Sequence, residues 1–547
     1  MDYNRLADLL FKDIGKAPDY YEEKYPQRHL QKGAMVTRLA PSPTGFIHLG
    51  NLFGAVVDER LASQSDGVFI LRIEDTDKKR EVEGAVELTI ATMKHFGIEF
   101  DEGATENGEI GDYGPYRQRQ RKEIYQTYAK YLVQQGYAYP CFCTEDDLEE
   151  IREKQKEAKL DYGYYGQWAK HRDMSLEDIE KNLADGKEYV LRFRSQGTKD
   201  KYIKVVDGIR GEIEVPENIQ DIVILKSDGI PTYHFAHAVD DHLMRVTHVV
   251  RAEEWMSTLP IHVQLFDTLG FQRPLYCHTA QLMKVDNGNK RKLSKRKDPE
   301  LGLDYYRSIG YTVEAVWEYL LTILNSNYEA WRQKNPDADR KEFKFTTQKM
   351  TKSGTLFDIM KLNNISKDVI VKMKAQEVYD GLLGWAMDYD KEFYEVISNA
   401  KDRTVAILNM GRNAKKPRKD IVTWSQCKEF IKYFYNEYFE VLDEYPDIPT
   451  DNVKKILTDY IASYDHSDEK NDWFGRVKVI TESLGYAVKP KQYKQNPDLY
   501  GGSIIEVTTI IRIALTGKAN APDIWEIQQI LGEENTVNRI QNALNKL

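Results

Sequence analysis

The stretch Met35 to Ala62, MVTRLAPSPTGFIHLGNLFGAVVDERLA, constrains the fold more than any other part of the chain. Met35 to Ala40 reads as a short strand, and Pro41, Pro43 and Gly45 break it into a loop. From about Ile47 the apolar residues Leu49, Phe53, Val56 and Val57 recur at three- and four-residue steps, the period of a helix. A strand, a turn and a helix N-terminus in succession aim backbone N–H groups and a positive dipole end at whatever sits above the loop, and phosphate suits that setting. The spacing predicts His48 and Asn51 on one helix face. It also predicts that Gly50 and Gly54, four apart, leave one side bare for a flat base to approach the backbone.

A chain of 547 residues is too long for one core, so roughly two to four domains are expected. The formal charge of −10 excludes a generally basic nucleic-acid coat but permits local basic patches. Four cysteines at this length do not make a disulfide framework. The N-terminal MDYNRLADLLFKDIGK mixes acids with bases, unlike a signal or transit peptide, and no apolar run is long enough to span a bilayer. The expectation is a soluble cytoplasmic protein with no membrane partner. Leu6, Leu9, Leu10 and Ile14 sit at helical spacing, so residues 1–34 read as a helical extension with no assigned chemistry.

Val68 to Ile73 reads as a strand buried on both faces, ending in the acidic run Glu74, Asp75, Thr76, Asp77. Ligands of open parallel sheets sit at such carboxyl ends. Helical segments are expected from there to Tyr137, with Arg117, Arg119 and Arg121 on a basic, solvated face. Val190–Phe193, Tyr202–Val206 and Gly211–Val215 read as short alternating strands, and Ile222–Leu225 as a return to the core sheet. Lys290 to Lys297, KRKLSKRK, packs six cations into eight residues after a flexible turn at Asp286–Asn289. Beyond Leu301 the periodicity is helical, with Asp304–Leu324 as one amphipathic region.

HLGN at 48–51, preceded by APSPTG at 40–45, resembles the first signature of class I aminoacyl-tRNA synthetases, and the PSPTG prefix resembles the bacterial glutamyl-tRNA synthetases in particular. RIEDTD at 72–77, KSDGIPTYHFAHAVDD at 226–241 and VVRAEEW at 249–255 extend the match, and KLSKR at 292–296 resembles the second class I signature, usually written with Met in second place. The resemblance implies an α/β, Rossmann-like nucleotide-binding domain with a parallel sheet, an inserted α+β domain and an all-α anticodon-binding region. The corresponding boundaries are 1–34 (extension), 35–138 and 205–300 (catalytic halves), 139–204 (acceptor-end-binding insertion), 301–370 (connector) and 371–547 (anticodon-binding region).

The same resemblance implies the site. His48, Asn51, Lys292 and Lys295 would carry catalysis, with Gly50, Gly54 and Ser294 joining them around ATP. Asn51 stands where many relatives have a second histidine; it can donate a hydrogen bond but carries no charge. Arg38, Ser42, Glu74, Tyr233, His237 and Arg251 would line the glutamate pocket, Glu74 facing the amino group. The two arginines suit carboxylates, because a guanidinium forks onto both oxygens. The implied reaction is that of a glutamate–tRNA ligase: glutamate attacks ATP with Mg²⁺ on the phosphates, and glutamyl-adenylate then passes to the 3′ end of tRNA(Glu). Whether tRNA(Gln) is also charged is left open, and a monomer is expected. Lys401, Arg403, Lys415, Lys416 and Arg418 form the best basic candidate for tRNA phosphate contact.

Relatives often hold zinc through a CxC followed, some twenty-five residues on, by a Cys and a His or similar ligand. Here Cys141 and Cys143 are present, but Trp168 replaces the third cysteine. Counting His171 gives three ligands against the four that structural zinc takes, so the pair reads as a degenerate remnant without metal. Three other readings compete with this one. A glutaminyl enzyme is opposed by PSPTG and the helical C-terminus. The short paralogue that glutamylates a modified tRNA base lacks an anticodon-binding half. A non-catalytic tRNA-binding descendant is opposed by the survival of both phosphate-binding signatures.

Overall fold

The computed structural model describes residues 1–412, 414–415, 417 and 419–547. They divide into two compact units, residues 1–303 with 317–358 and residues 304–316 with 359–547.

The first unit begins with two short helices, α1 (Tyr3–Leu10) and α2 (Pro18–Lys24). Asp2 caps α1, and Leu6 and Ala7 are buried. The extension is tied down by polar contacts as well. Arg28 forks onto Glu102 at 2.7 and 2.9 Å, and Glu22 accepts from Tyr128 at 2.9 Å and Arg245 at 2.9 Å, with His242 Nε2 2.7 Å away.

The chain then runs through β1 (Val36–Leu39), α3 (Leu49–Ser63), β2 (Val68–Leu71), α4 (Ala85–His95), β3 (Glu102–Thr105), β4 (Gly108–Ile110) and α5 (Lys122–Gln134). The helical expectation for this stretch misses β3 and β4, which are three or four residues long and glycine-containing, too short for a periodicity signal. Gly103 is required where it stands: its φ is +132°, and a Cβ there would lie 2.3 Å from the carbonyl oxygen of Leu71.

An inserted lobe follows: β5 (Ala138–Cys141), α6 (Glu145–Glu157), α7 (Leu176–Ala184) and β6 (Val190–Phe193). After it come β7 (Tyr202–Asp207), β8 (Gly211–Pro216), β9 (Val223–Leu225), α8 (Tyr233–Leu243), β10 (His248–Ala252), α9 (Leu259–Leu269), β11 (Leu275–Thr279), β12 (Leu282–Asp286), β13 (Asn289–Lys292) and β14 (Thr355–Leu356).

β1, β2 and β3 are parallel neighbours, as are β10 and β11. Thr247, just before β10, donates its N–H to Val36 at 2.9 Å, which sets β10 against the free edge of β1. The resulting order, β3–β2–β1–β10–β11, is a Rossmann-like parallel sheet whose strands are buried throughout β1 and β2. Its direction of winding reverses between β1 and β10, where a ligand crevice is expected at the carboxyl ends. β9 does not rejoin this sheet: it pairs antiparallel with β6 inside the sheet β5–β6–β9. Three apolar residues in a row fit either place, and pairing partners decided it.

The single amphipathic region expected over 304–324 consists of two helices, Leu303–Ile309 and Val313–Leu324, broken at Gly310 with φ +82°. In the second unit the described residues are helical or irregular, with no strand beyond residue 356. Its core joins residues far apart in sequence, among them Leu382, Ile456, Val477, Ile510 and Ile540. No helix among the described residues is long and apolar enough to cross a membrane.

Candidate active site

His48 takes the N-cap position of α3 with extended backbone (φ −123°, ψ 165°), and Asn51 is the third helical residue. The Asn51 side-chain oxygen accepts the His48 backbone N–H at 3.0 Å, so Asn51 caps the helix and keeps its NH₂ group for a ligand. The predicted shared face is therefore replaced by a local cap. The His48 ring lies over Gly50, where a Cβ would come within 2.9 Å of Nδ1, whereas Gly54 faces open space. Burial and then the nearby Lys295 push the His48 pKa below its ordinary value, which keeps the ring neutral. His48, Asn51, Ser42, Gly45, Phe46 and Lys295 line one cavity of about 160 Å³.

The second signature begins at the last residue of the β12–β13 hairpin, Lys292, and continues into the loop after it. Asn287 and Gly288, with φ +49° and +81°, form the hairpin's two-residue turn, so the stretch is a defined hairpin turn instead of a loose one. Arg291 grips Asp298 at 2.6 and 2.9 Å, and Asp298 also accepts the Ser294 backbone N–H at 2.8 Å. Lys292 pairs with Glu254 at 2.7 Å, and Lys295 sits 3.9 Å above the Phe46 ring. Both lysines thus meet groups beside the first signature or β10.

Behind the loop lies a buried charge network. Arg38 on β1 points its Nε at Asp241, 3.3 Å away. Arg72, at the end of β2, reaches Asp241 at 2.5 Å and Glu74 at 3.2 Å. Asp240 accepts from Arg121 at 2.6 Å, Tyr125 at 2.7 Å and Gln118 at 2.9 Å. Arg121 is therefore a buried partner of α8 and no part of a solvated face, while Arg119 donates to the Asp75 carbonyl at 2.7 Å. Against the cost of burial, Arg72 and Arg38 hold Asp241 well below the usual carboxylate range. Burial raises Glu74, with Arg72 and Arg38 opposing.

His237, one helical turn before Asp241 on α8, lies 3.0 Å from it and 3.0 Å from the Tyr276 hydroxyl. Burial lowers its pKa to about 4, so it is neutral. Tyr233 lies between the Trp255 ring, tilted against it at 4.7 Å, and the His237 ring, stacked on it at 5.9 Å.

Arg251, at the end of β10, is held by two histidines. Its Nε donates to His278 Nε2 at 2.9 Å, and its Nη1 to His262 Nδ1 at 2.9 Å. Guanidinium only donates, so both ring nitrogens accept and each ring's proton lies on its other nitrogen. The other ring N–H of His278 donates to Asp207 at 2.6 Å, and that of His262 to His234 Nδ1 at 3.0 Å. The remaining Nη2 of Arg251 is buried and has no hydrogen-bond partner.

The structure links Arg38, Glu74 and His237 through Asp241 and Arg72, sets Tyr233 against the His237 ring and ties Arg251 to His262, and it brings Ser42 into the cavity with His48. Sequence reading missed Arg72, Asp207, Asp240, Asp241, His262 and His278. Arg72 interrupting an apolar strand, and Asp241 four residues after His237, were signals that could have found two of them.

The family described as "tRNA synthetases class I (E and Q), catalytic domain" matches residues 34–364. The chain belongs to this family of class I synthetases. An "Anticodon binding domain" matches residues 501–544. A glutamate–tRNA ligase of Acetivibrio thermocellus is 58% identical over 546 residues, covering 100% of both chains. One of Clostridium perfringens is 50% identical, covering 99% of this chain and 100% of its own. The crystal structure of a glutamate tRNA ligase from Elizabethkingia meningosepticum in complex with its amino acid superimposes with a TM-score of 0.74 at 26% identity, covering 94% of this chain and 99% of that one.

The basic stretch expected of such a synthetase is only partly outward-facing. Lys401 and Lys415 are exposed. Arg403 turns inward to the Phe434 carbonyl at 2.8 Å and lies over the Tyr435 ring. Lys416 and Arg418 lie outside the described residues. In the inserted lobe of this synthetase, ligand atoms of Cys141, Cys143 and His171 lie within 4.8 Å of one another.

Proposed function

We propose that this chain is a glutamate–tRNA ligase that forms glutamyl-adenylate from glutamate and ATP and transfers the glutamyl group to the 3′ end of tRNA(Glu), releasing pyrophosphate and AMP. The observation that carries the glutamate assignment is the unpartnered, buried Arg251 Nη2 beside a pocket with a second buried arginine, Arg38. A glutamine amide would meet N–H donors with N–H donors there, and buried polar mismatches of that kind discriminate strongly. Glu74 would receive the substrate ammonium, and Tyr233 and His237 would frame the side chain.

No side chain has to act as nucleophile: the substrate carboxylate attacks the α-phosphorus itself. Catalysis is then positioning and charge stabilisation. His48 and the Asn51 amide at the α3 N-terminus, with Lys292, Ser294 and Lys295, surround the triphosphate, and Gly50 and Gly54 take the base side. Glu254 and Phe46 hold the two lysines meanwhile; the triphosphate replaces Glu254 as the anionic partner of Lys292. Mg²⁺ carried in with ATP would supply further charge neutralisation at the phosphates beside Lys292 and Lys295. The insertion, residues 139–204, takes the acceptor end, and residues 371–547 take the anticodon arm, with Lys401 and Lys415 offering phosphate contacts. The protein works as a cytoplasmic monomer.

The test is a charging assay with labelled glutamate or glutamine, ATP, Mg²⁺ and separately prepared tRNA(Glu) and tRNA(Gln). Glutamate transfer to tRNA(Glu) supports the reading, and the second tRNA reports whether tRNA(Gln) is also charged. Transfer of glutamine alone, or of neither by folded tRNA-binding protein, overturns it.

A further inference from the structure

One buried carboxylate gathers the loop that carries Lys295. Asp298 is 2% exposed, although it stands just past a run of cations, Lys295 to Lys297. Arg291 on β13 forks onto it at 2.6 and 2.9 Å, the Ser294 backbone N–H donates to it at 2.8 Å, and Lys284 Nζ on β12 lies 3.4 Å away. The backbone closes the same loop: the Lys297 and Asp298 N–H groups donate to the Ser294 carbonyl at 3.1 and 2.9 Å. A single side chain thus holds both strands of the hairpin and the turn that follows. Ser294 lies between Lys292 and Lys295 in sequence, so fixing its backbone fixes the spacing of the two lysines.

Beyond Asp298 the chain runs straight back to the first signature. The Asp298 carbonyl accepts the Leu301 N–H at 3.0 Å in the single helical turn Pro299–Leu301. Glu300, within that turn, also binds Lys284 of β12. Gly302 then pairs with His48 as an isolated antiparallel bridge, and the Leu303 N–H donates to the Ile47 carbonyl at 3.4 Å. Phe46, beside this bridge, carries Lys295 3.9 Å above its ring. Two signatures that lie far apart in sequence are therefore joined through the short stretch Asp298 to Gly302. The forked guanidinium is the strongest of the contacts to Asp298, and Arg291 holds its carboxyl well below the usual carboxylate range.

We propose that Asp298 is a positioning residue for nucleotide activation. It locks the lysine loop to the hairpin on one side and to the His48 bridge on the other, and so sets Lys292, Ser294 and Lys295 at a fixed reach from His48. It touches no substrate and acts through the lysines. The proposal rests on the reading of those lysines as triphosphate partners and is independent of which amino acid is activated. A lysine stabilises charge on departing pyrophosphate only as well as its backbone is placed in advance. Asparagine at 298 would keep the shape and could still accept the Ser294 N–H. It has no second oxygen for the fork, so one guanidinium N–H would face the amide NH₂.

The experiment uses the full-length chain and begins without substrate. Hydrogen exchange is compared in wild type, Asp298→Asn, Arg291→Lys and Asp286→Asn. Asp298→Asn is expected to speed exchange over residues 293–302 by about tenfold, with a smaller rise over 46–52 and none over β1 or β10. ATP titration and steady-state charging then give the split. The KM for ATP rises and kcat falls, together lowering kcat/KM for ATP by roughly 10²-fold. The KM for glutamate stays within about twofold. Arg291→Lys, which keeps the charge but not the fork, falls between, and carries the same test if Asp298→Asn does not fold. Asp286→Asn, which removes only the exposed partner of Arg291, stays within about twofold of wild type. The double variant Asp298→Asn with Arg291→Gln recovers part of kcat, because the two amides can pair. Unchanged exchange over 293–302 in Asp298→Asn overturns the tie. Faster exchange there with ATP kinetics unchanged, or with both KM values raised equally, overturns the positioning role. Loop exchange and ATP binding are read without turnover, so failure of the glutamate assignment in the charging assay is told apart from failure here.

Discussion

Arg251 donates its Nε–H to His278 Nε2 across 2.9 Å, and Asp207, 2.6 Å from the other ring nitrogen, fixes which nitrogen is free to accept. The guanidinium is thereby locked in plane, with Nη2 left for a ligand. Removing the imidazole should free Arg251 to rotate. A hydrogen bond to a charged group contributes about 1.5–3 kcal/mol, so His278→Ala should raise the KM for glutamate roughly 10- to 100-fold. The KM for ATP should stay within about twofold, because His278 does not line the cavity that holds His48, Asn51 and Lys295. Asp207→Asn, which keeps size but loses the charge, should fall between. Steady-state charging kinetics with each substrate varied in turn check this; equal effects on both KM values would show a general structural lesion.

Lys292 and Glu254 form an ion pair whose side chains are both about half exposed, 58% and 50%. Such pairs contribute little to stability. Glu254→Gln should leave the unfolding midpoint unchanged within error and lower the KM for ATP by a few-fold, since Lys292 no longer has to leave a carboxylate. Lys292→Ala should instead reduce kcat by roughly 10²- to 10³-fold, the scale of one lost charge-stabilising donor. Pyrophosphate exchange in the presence of tRNA separates the two effects.

Acid should weaken the first unit through its buried histidines. His234 and His237 both have pKa values lowered by burial from 6.5 to about 4. Between those values the unfolded chain binds protons that the folded chain refuses. The stability they contribute is therefore fully present above pH 6.5 and is lost as pH falls toward 4. For the fully buried His237 the slope is about 1.4 kcal/mol per pH unit. Urea unfolding followed from pH 7 to pH 4.5 should show the loss, and His237→Asn should flatten it.

The N-terminal extension should act as a strut on the catalytic core. Arg28, 8% exposed, forks onto Glu102 and stacks 3.8 Å from the Tyr113 ring. Arg28→Met would leave the half-buried Glu102 carboxylate without its cation and should destabilise the first unit by about 3 kcal/mol. Denaturant unfolding measures this directly. The double variant with Glu102→Gln should recover part of the loss, which a simple packing defect would not.

Local sequence determined the strand–turn–helix at 36–63, the lysine cluster and the helical second unit, because each is set by chain neighbours: prolines and a glycine break a strand, a 3.6 period makes a helix, like charges crowd into one loop. The residues proposed to bind glutamate were legible as a resemblance, although their mutual contacts were not. Tertiary structure alone decided who faces whom. Arg72 meets Asp241 across 169 positions, and Asp207 meets His278 across 71. It turned Arg121 from surface charge into a core partner, sent β9 to the inserted sheet and set Tyr164 against Cys141 across 23 positions. Buried charges depend on partners from distant strands, because a polar group removed from water must find its counterpart wherever the fold delivers one.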